Sequence, residues 1–267
     1  MKKLHFQYEL QLELDRPVID HHYRLRCLPF QNHIQNSFNL TYTVAPSGPL
    51  HIAEDGFGNR YLFGEARFPH NRFEVSCAGT VFVHEAGRKQ EELHPVYRHP
   101  SAYTQPGPGI IALFDTIMED PHAVRLVSEH RTYELVWLLM DELYHRFTYA
   151  SGVTSVDTTA EEALRGGQGV CQDYAHILTA LCRMANIPAR YVAGMMVGEG
   201  ATHAWLEAYL NGYWIGFDPT HNQLADDRFI KLSHGRDFAD CTVDRGCFKG
   251  VSTQQQKIYV KVEDISW

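Results

Sequence analysis

Residues 166–182 read Gly-Gly-Gln-Gly-Val-Cys-Gln-Asp-Tyr-Ala-His-Ile-Leu-Thr-Ala-Leu-Cys, and the chain changes character at Cys171. Before it, Gly166, Gly167 and Gly169 are residues that stop one helix and permit a tight turn. After it, Cys171, Ala175, Leu178 and Cys182 recur at spacings of four, three and four, the stripe of a helix with a buried face. Cys171 therefore opens a helix. Unpaired backbone N–H groups and the positive end of the helix dipole favour a thiolate at such a position, and the same amides suit an oxyanion forming on a substrate carbonyl. The stripe has a plainer reading as well, a cysteine on the packed face of an ordinary helix. On these residues alone both readings stand.

A nucleophilic cysteine needs a base, and the next motif offers one. Thr202-His203-Ala204-Trp205-Leu206-Glu207-Ala208-Tyr209-Leu210 and Tyr213-Trp214-Ile215-Gly216-Phe217-Asp218 flank Asn211-Gly212, the strongest short hairpin signal. With those two residues as the turn, Leu210 faces Tyr213, His203 faces Thr220 and Trp205 faces Asp218. Residues 203, 205, 218 and 220 then share a face, and His203 and Asp218 stand diagonally, within side-chain reach. Cys171 attacks, His203 moves the proton and Asp218 orients the ring. Taken singly, His203 also fits a core or surface histidine, and Asp218, before Pro219, a turn-forming aspartate. The opposite face, Ala204, Leu206, Ala208 and Leu210, is the more apolar, so the pattern leaves open which face meets the cysteine helix.

The two halves of the chain have different periods. Phe6, Tyr8, Leu10, Leu12 and Leu14 fall on every second position, the signature of a strand with one buried face. Tyr23, Leu25 and Cys27 repeat it, as do Phe38, Leu40, Tyr42 and Val44. With the turn Glu54-Asp55-Gly56-Phe57-Gly58-Asn59, the region to about Val83 is expected to form a β-sandwich. His84 to Gly109 loses all period and gathers His and Pro, as in a surface connection. Val136, Leu139, Met140, Leu143 and Phe147 then describe a helix, and Thr158-Thr159-Ala160-Glu161 a capping box before another. The expected division is 1–88 as a β-sandwich domain, 89–125 as a linker and connecting segment, and 126–267 as the domain bearing the chemistry.

Composition narrows the function classes. Asp plus Glu outnumber Lys plus Arg, 32 to 24, so no basic footprint for a nucleic acid backbone exists. No apolar run approaches the length of a membrane span, and the start resembles no signal core, so a cytoplasmic protein is expected. The six cysteines are scattered, without a CxxC pair, and suggest reduced thiols. The 16 histidines form neither HExxH nor another compact ligand set, so no metal is expected.

Gly169-Val170-Cys171-Gln172-Asp173-Tyr174-Ala175-His176, Asn186-Ile187-Pro188-Ala189-Arg190-Tyr191-Val192-Ala193-Gly194, His203-Ala204-Trp205-Leu206-Glu207 and Asp218-Pro219-Thr220 follow one another in the order of the transglutaminase-like superfamily. The chain resembles in particular its bacterial members with an N-terminal β domain, which are commonly described as cysteine proteases. The resemblance extends to Asp55-Gly56-Phe57-Gly58-Asn59 and to Gly235-Arg236-Asp237. It implies an α+β protein with a papain-like core, Cys171 at a helix start, His203 and Asp218 on adjacent strands, and no required cofactor. Two positions depart: the family often has Gly where Asn186 stands and Asn where His221 stands.

The resulting expectation is thiol-dependent acyl transfer or hydrolysis at amide bonds of a peptide or protein substrate, through a thioester. The Cys171 N–H is the expected oxyanion donor, with Gln168 or Trp205 as a second oxyanion or substrate contact. An amine acceptor makes a transglutaminase and water a protease or amidase; the residues leave this open, with the oligomeric state. The rivals are a noncatalytic protein-interaction module that retains the fold and, more weakly, a metal-dependent hydrolase.

Overall fold

The computed structural model describes all residues except 47, 85, 86 and 267. The first half is β-structure: β1 (Lys2–Leu25), β2 (Gln35–Ala45), β3 (Leu50–Glu54), β4 (Arg60–Ala66) and β5 (His70–Val83). Helices follow, α1 (Pro108–Met118), α2 (Pro121–Ser128) and α3 (Thr132–Arg146), then the short β6 (Thr148–Tyr149), α4 (Ala160–Gly166) and β7 (Gln168–Gly169). The remainder is α5 (Cys171–Met184), β8 (Ala189–Met196), β9 (Gly198–Gly200), β10 (His203–Leu210), β11 (Tyr213–Asp218), β12 (Gln223–Leu224), β13 (Phe229–Gly235), α6 (Phe238–Cys241), β14 (Asp244–Lys249) and β15 (Gln254–Asp264). The protein is thus α+β, and among its described residues no helix is long and apolar enough to cross a membrane.

The expected sandwich is instead one eight-stranded antiparallel sheet joined through β1. The reason is the length of that strand. Residues 2–14 pair with β5 on one side and β15 on the other, whereas residues 19–25 pair with β4 and β14. The register slips between Glu13 and Val18 against β5 and between Ile19 and His22 against β14. Pro17, which cannot donate to a ladder, falls in this break, where the strand bends into a half-barrel without ending. The alternating residues Phe6 to Leu14 are buried as expected, and Leu4 extends the row. β2 is an edge strand, and there the expected buried face fails: Val44 is buried but Phe38 and Tyr42 are exposed.

The connection is less loose than its composition suggests. Tyr97 is buried in a short 3-10 turn, Pro95–Arg98, and Thr104 is fully covered. Arg183 of α5 donates to Thr104 Oγ1 at 2.6 Å and to the carbonyls of Ala189 and Arg236, tying this segment to the core. The stretch 108–128, placed mostly within the connecting segment, is helical. The capping box lies one residue later than expected: Thr159 and Glu162 cap each other across the start of α4. Glu161 is thereby freed to accept from the Gly109 and Ile110 N–H groups, at 2.8 and 3.0 Å, at the start of α1.

A second sheet, in the order β12-β11-β10-β8-β13, packs on α5. Leu206, Ala208 and Leu210 of β10 join Tyr174, Ile177, Leu178 and Leu181 of α5 in one cluster, while Trp205 packs with Val192 and Phe229 on the other face. The helix therefore takes the more apolar face, and both faces are covered. Asn186 ends α5 at φ 58°, the left-handed position that suits Gly or Asn, so the Gly-to-Asn departure is conservative. The two sheets share a core, because Leu4, Phe6, Tyr8, Val260 and Val262 belong to the same cluster as Ala175, Tyr191, Met195, Ile230 and Leu232. The Asp55–Asn59 turn fastens them: Asn59 exchanges hydrogen bonds with the backbone of His234 at 2.8 Å each way, beside Gly235.

Candidate active site

The start of α5 is fixed by its own sequence. Asp173 accepts from the Val170 N–H and from Thr154 Oγ1, both at 2.7 Å, so the first turn is held from within and from the preceding loop. Gly169 is required there, since a Cβ on it would fall 2.4 Å from Asp173 Oδ2. Cys171 is the first helical residue and partly exposed. The other thiols differ. Cys27, Cys77, Cys182 and Cys241 are buried, and burial pushes Cys182 up to about 12. Cys247 is exposed on β14.

His203 is held by the hairpin. Asn211 and Gly212 have φ of 52° and 91°, as the two-residue turn demands, and the ladder runs from Leu210 opposite Tyr213 to Leu206 opposite Phe217, the register expected. The diagonal relation follows: His203 Nε2 lies 3.0 Å from Asp218 Oδ2. The N–H direction is not aligned for a full hydrogen bond, so the contact is primarily an ion pair. Burial disfavours charge on this ring, yet Asp218 and the Cys171 sulfur together outweigh it, raising His203 to about 10. The surroundings of the ring therefore favour its charged form. Asp218 is fully buried, and burial alone raises a carboxyl, but His203 and His221 together hold it below its ordinary value.

Cys171 and His203 meet although α5 packs on the opposite face of β10, because each stands at the first residue of its element. They line a cavity of about 290 Å³ with Tyr149, Thr202 and His221. The two other expected residues sit apart. Gln168 is exposed in the short parallel pairing of β6 and β7 and faces a different cleft, with Thr154 and Glu162. Trp205 is buried beneath His203, its ring centroid 6.3 Å away, and lines a pocket on the far face with Glu207 and Lys231.

His221 is the participant that sequence reasoning left without a role. Its Nδ1 is 2.7 Å from Asp218 Oδ2, so the carboxylate oxygen is shared by two imidazoles. The signal was its place three residues after Asp218. His203, Asp218 and His221 also bring three potential ligand atoms within 4.8 Å of one another, the set among the described residues that could hold a cation. Behind the site, Glu207 on β10 accepts from Arg190 on β8 at 2.6 Å and from Lys231 on β13 at 2.7 Å. Burial opposes its charge, but the two cations hold Glu207 down at about 2. This trio clamps three adjacent strands.

The core of the transglutaminase-like superfamily matches residues 123–219, a segment that contains Cys171, His203 and Asp218. An uncharacterised protein of Mycobacterium tuberculosis is 30% identical over 234 residues, spanning 78% of this chain and 74% of the relative. The chain belongs to the transglutaminase-like superfamily. A second relative, an uncharacterised protein of Mycobacterium leprae, is 28% identical over 230 residues, covering 78% of this chain and 79% of its own. The whole fold recurs in a crystal structure described as a "putative cysteine protease" from Cytophaga hutchinsonii, with a TM-score of 0.78 at 22% identity, covering 100% of this chain and 91% of that one. The bent N-terminal sheet is therefore part of a shared architecture with the superfamily core.

Proposed function

We propose that the protein is a cysteine enzyme of peptide or protein substrates, acting in the cytoplasm by thiol-dependent acyl transfer or hydrolysis at amide bonds. The reading is carried by one observation: a buried imidazole that lies 3.0 Å from the fully buried Asp218 and lines one cavity with the partly exposed Cys171. The Cys171 sulfur attacks the amide carbonyl. His203 delivers its proton to the departing amine, and Asp218 holds the ring and its charge. The first N–H groups of α5 have no partner within the helix, so that of Cys171 is the oxyanion donor. The thioester is then captured by an amine or by water.

The test uses an internal control. Iodoacetamide below pH 7 is expected to modify Cys171 ahead of the exposed Cys247, as read by peptide mass spectrometry, and His203→Ala is expected to remove the difference. Equal, slow reaction at both cysteines sinks the reading and favours a noncatalytic interaction module. The cluster of His203, Asp218 and His221 supports a second reading, a metal-dependent hydrolase. Against it, both rings already satisfy Asp218, and a cation must displace the proton of His203. Turnover is expected to survive exhaustive chelation; loss restored by zinc reverses the order of the two readings.

A further inference from the structure

The bend in β1 leaves a gap. Its first half carries β15 and its second half β14, and the register shows no pairing between those two strands. Between them lies a cavity of about 430 Å³, inside the range of roughly 300–1,000 Å³ usual for small-ligand sites. Its floor is apolar, from Leu10, Leu12 and Phe73 of the bent sheet with Phe238 and Val243 beyond. A hydrogen bond from Gln256 to Asp244, 3.0 Å, runs from β15 to β14 across the gap.

Two observations join this cavity to the candidate active site. Gln172 and Thr202, the chain neighbours of Cys171 and His203, are on its wall, and Thr202 also lines the smaller cavity that holds Cys171. A chain whose carbonyl sits at Cys171 thus has a chamber with an apolar floor one residue away, its walls coming mainly from the bent sheet and carrying His21, Asp244 and Arg245. We infer that the half-barrel cavity is the specificity pocket for the acyl donor, taking a large aromatic or aliphatic side chain of a peptide beside the scissile carbonyl. This rests on Cys171 as the nucleophile. It gives the N-terminal sheet a part in substrate selection.

The test is the inactivation rate of the full-length protein with acetyl-peptidyl chloromethyl ketones that differ only in the side chain next to the reactive group. Iodoacetamide, which has no side chain, is the reference for Cys171 itself. Phe is expected to outpace Ala and Asp by about tenfold or more, with the adduct on Cys171. Val156 is an exposed residue at the cavity wall. Val156→Trp is expected to narrow the entrance and flatten the preference while leaving the iodoacetamide rate unchanged. Equal rates for Phe, Ala and Asp, with normal iodoacetamide reaction, overturn the pocket and leave the enzyme reading intact. A decanoyl chloromethyl ketone reacting faster than the Phe peptide overturns the peptide side chain as occupant. If Cys171 is inert even to iodoacetamide, the enzyme reading fails and the pocket assignment falls with it.

Discussion

Two partners outweigh the burial of His203 and raise its pKa, and that shift links folding to pH. A histidine raised from 6.5 to about 10 contributes stability that is complete below 6.5 and is lost as the pH climbs through 10. Asp218, held below 3.8, runs the other way and loses its contribution as the pH falls beneath that value. Both are complete together between about pH 4 and 6.5. Between pH 7 and 10.5 the wild-type melting temperature is therefore expected to fall further than that of His203→Gln, by roughly 2–4 °C per kcal/mol of lost pairing. Parallel curves by scanning calorimetry contradict a charged ring. The same geometry ranks two substitutions. Asp218→Asn is expected to lower kcat roughly a thousand- to ten-thousand-fold, because the imidazolium loses its counter-charge. His221→Asn keeps a donor for Asp218 and is expected to cost about tenfold or less. Cys171, His203 and Asp218 were legible from a glycine turn, a hairpin register and a resemblance. The sharing of Asp218 by His221 was not, because it depends on how the chain turns after Pro219.

Individual elements were easiest to read where one local rule governs them. The Asn211-Gly212 hairpin and the helix after Cys171 formed as expected, since their turn chemistry and spacing leave few alternatives. The capping box slipped by one residue because Thr158 and Thr159 offer the same hydroxyl, and Glu161 and Glu162 the same carboxylate. Only the demand of α1 for an acceptor separates the two glutamates. The Glu207 clamp had no local signature at all, since its three members lie on separate strands. Its worth can be measured. Glu207→Gln leaves Arg190 and Lys231 buried without their counter-charge, and is expected to destabilise the fold by about 3–5 kcal/mol in urea unfolding. A cost below about 1 kcal/mol means that the trio adds little to the rigidity of the strand bearing His203.

At the scale of the molecule, strand alternation identified the N-terminal sheet but not its shape, because alternation reports one covered face and not what covers it. A sandwich was the natural inference for strands 2–83. What supplies the cover is far away in sequence: β14 and β15 return to flank β1, and Ala175, Tyr191 and Ile230 enter the same apolar cluster as Phe6 and Tyr8. Such a core does not divide at residue 88. A fragment comprising residues 89–267 keeps the superfamily segment 123–219, yet β14 loses its ladder with β1, β15 keeps only its short pairing with β9, and Val260 and Val262 lose the Leu4, Phe6 and Tyr8 side of their cluster. Each large apolar side chain returned to water costs about 1.5–3 kcal/mol, and several are exposed at once, against a typical net stability of about 5–15 kcal/mol. The fragment is therefore expected to show no cooperative unfolding transition, whereas the intact chain unfolds in one step by circular dichroism and by tryptophan fluorescence alike. A fragment that melts sharply and still directs iodoacetamide to Cys171 over Cys247 means that the core is separable. The N-terminal sheet is then an addition to a self-sufficient catalytic unit, and the half-barrel cavity must select substrates from outside the folding unit that it was inferred to complete.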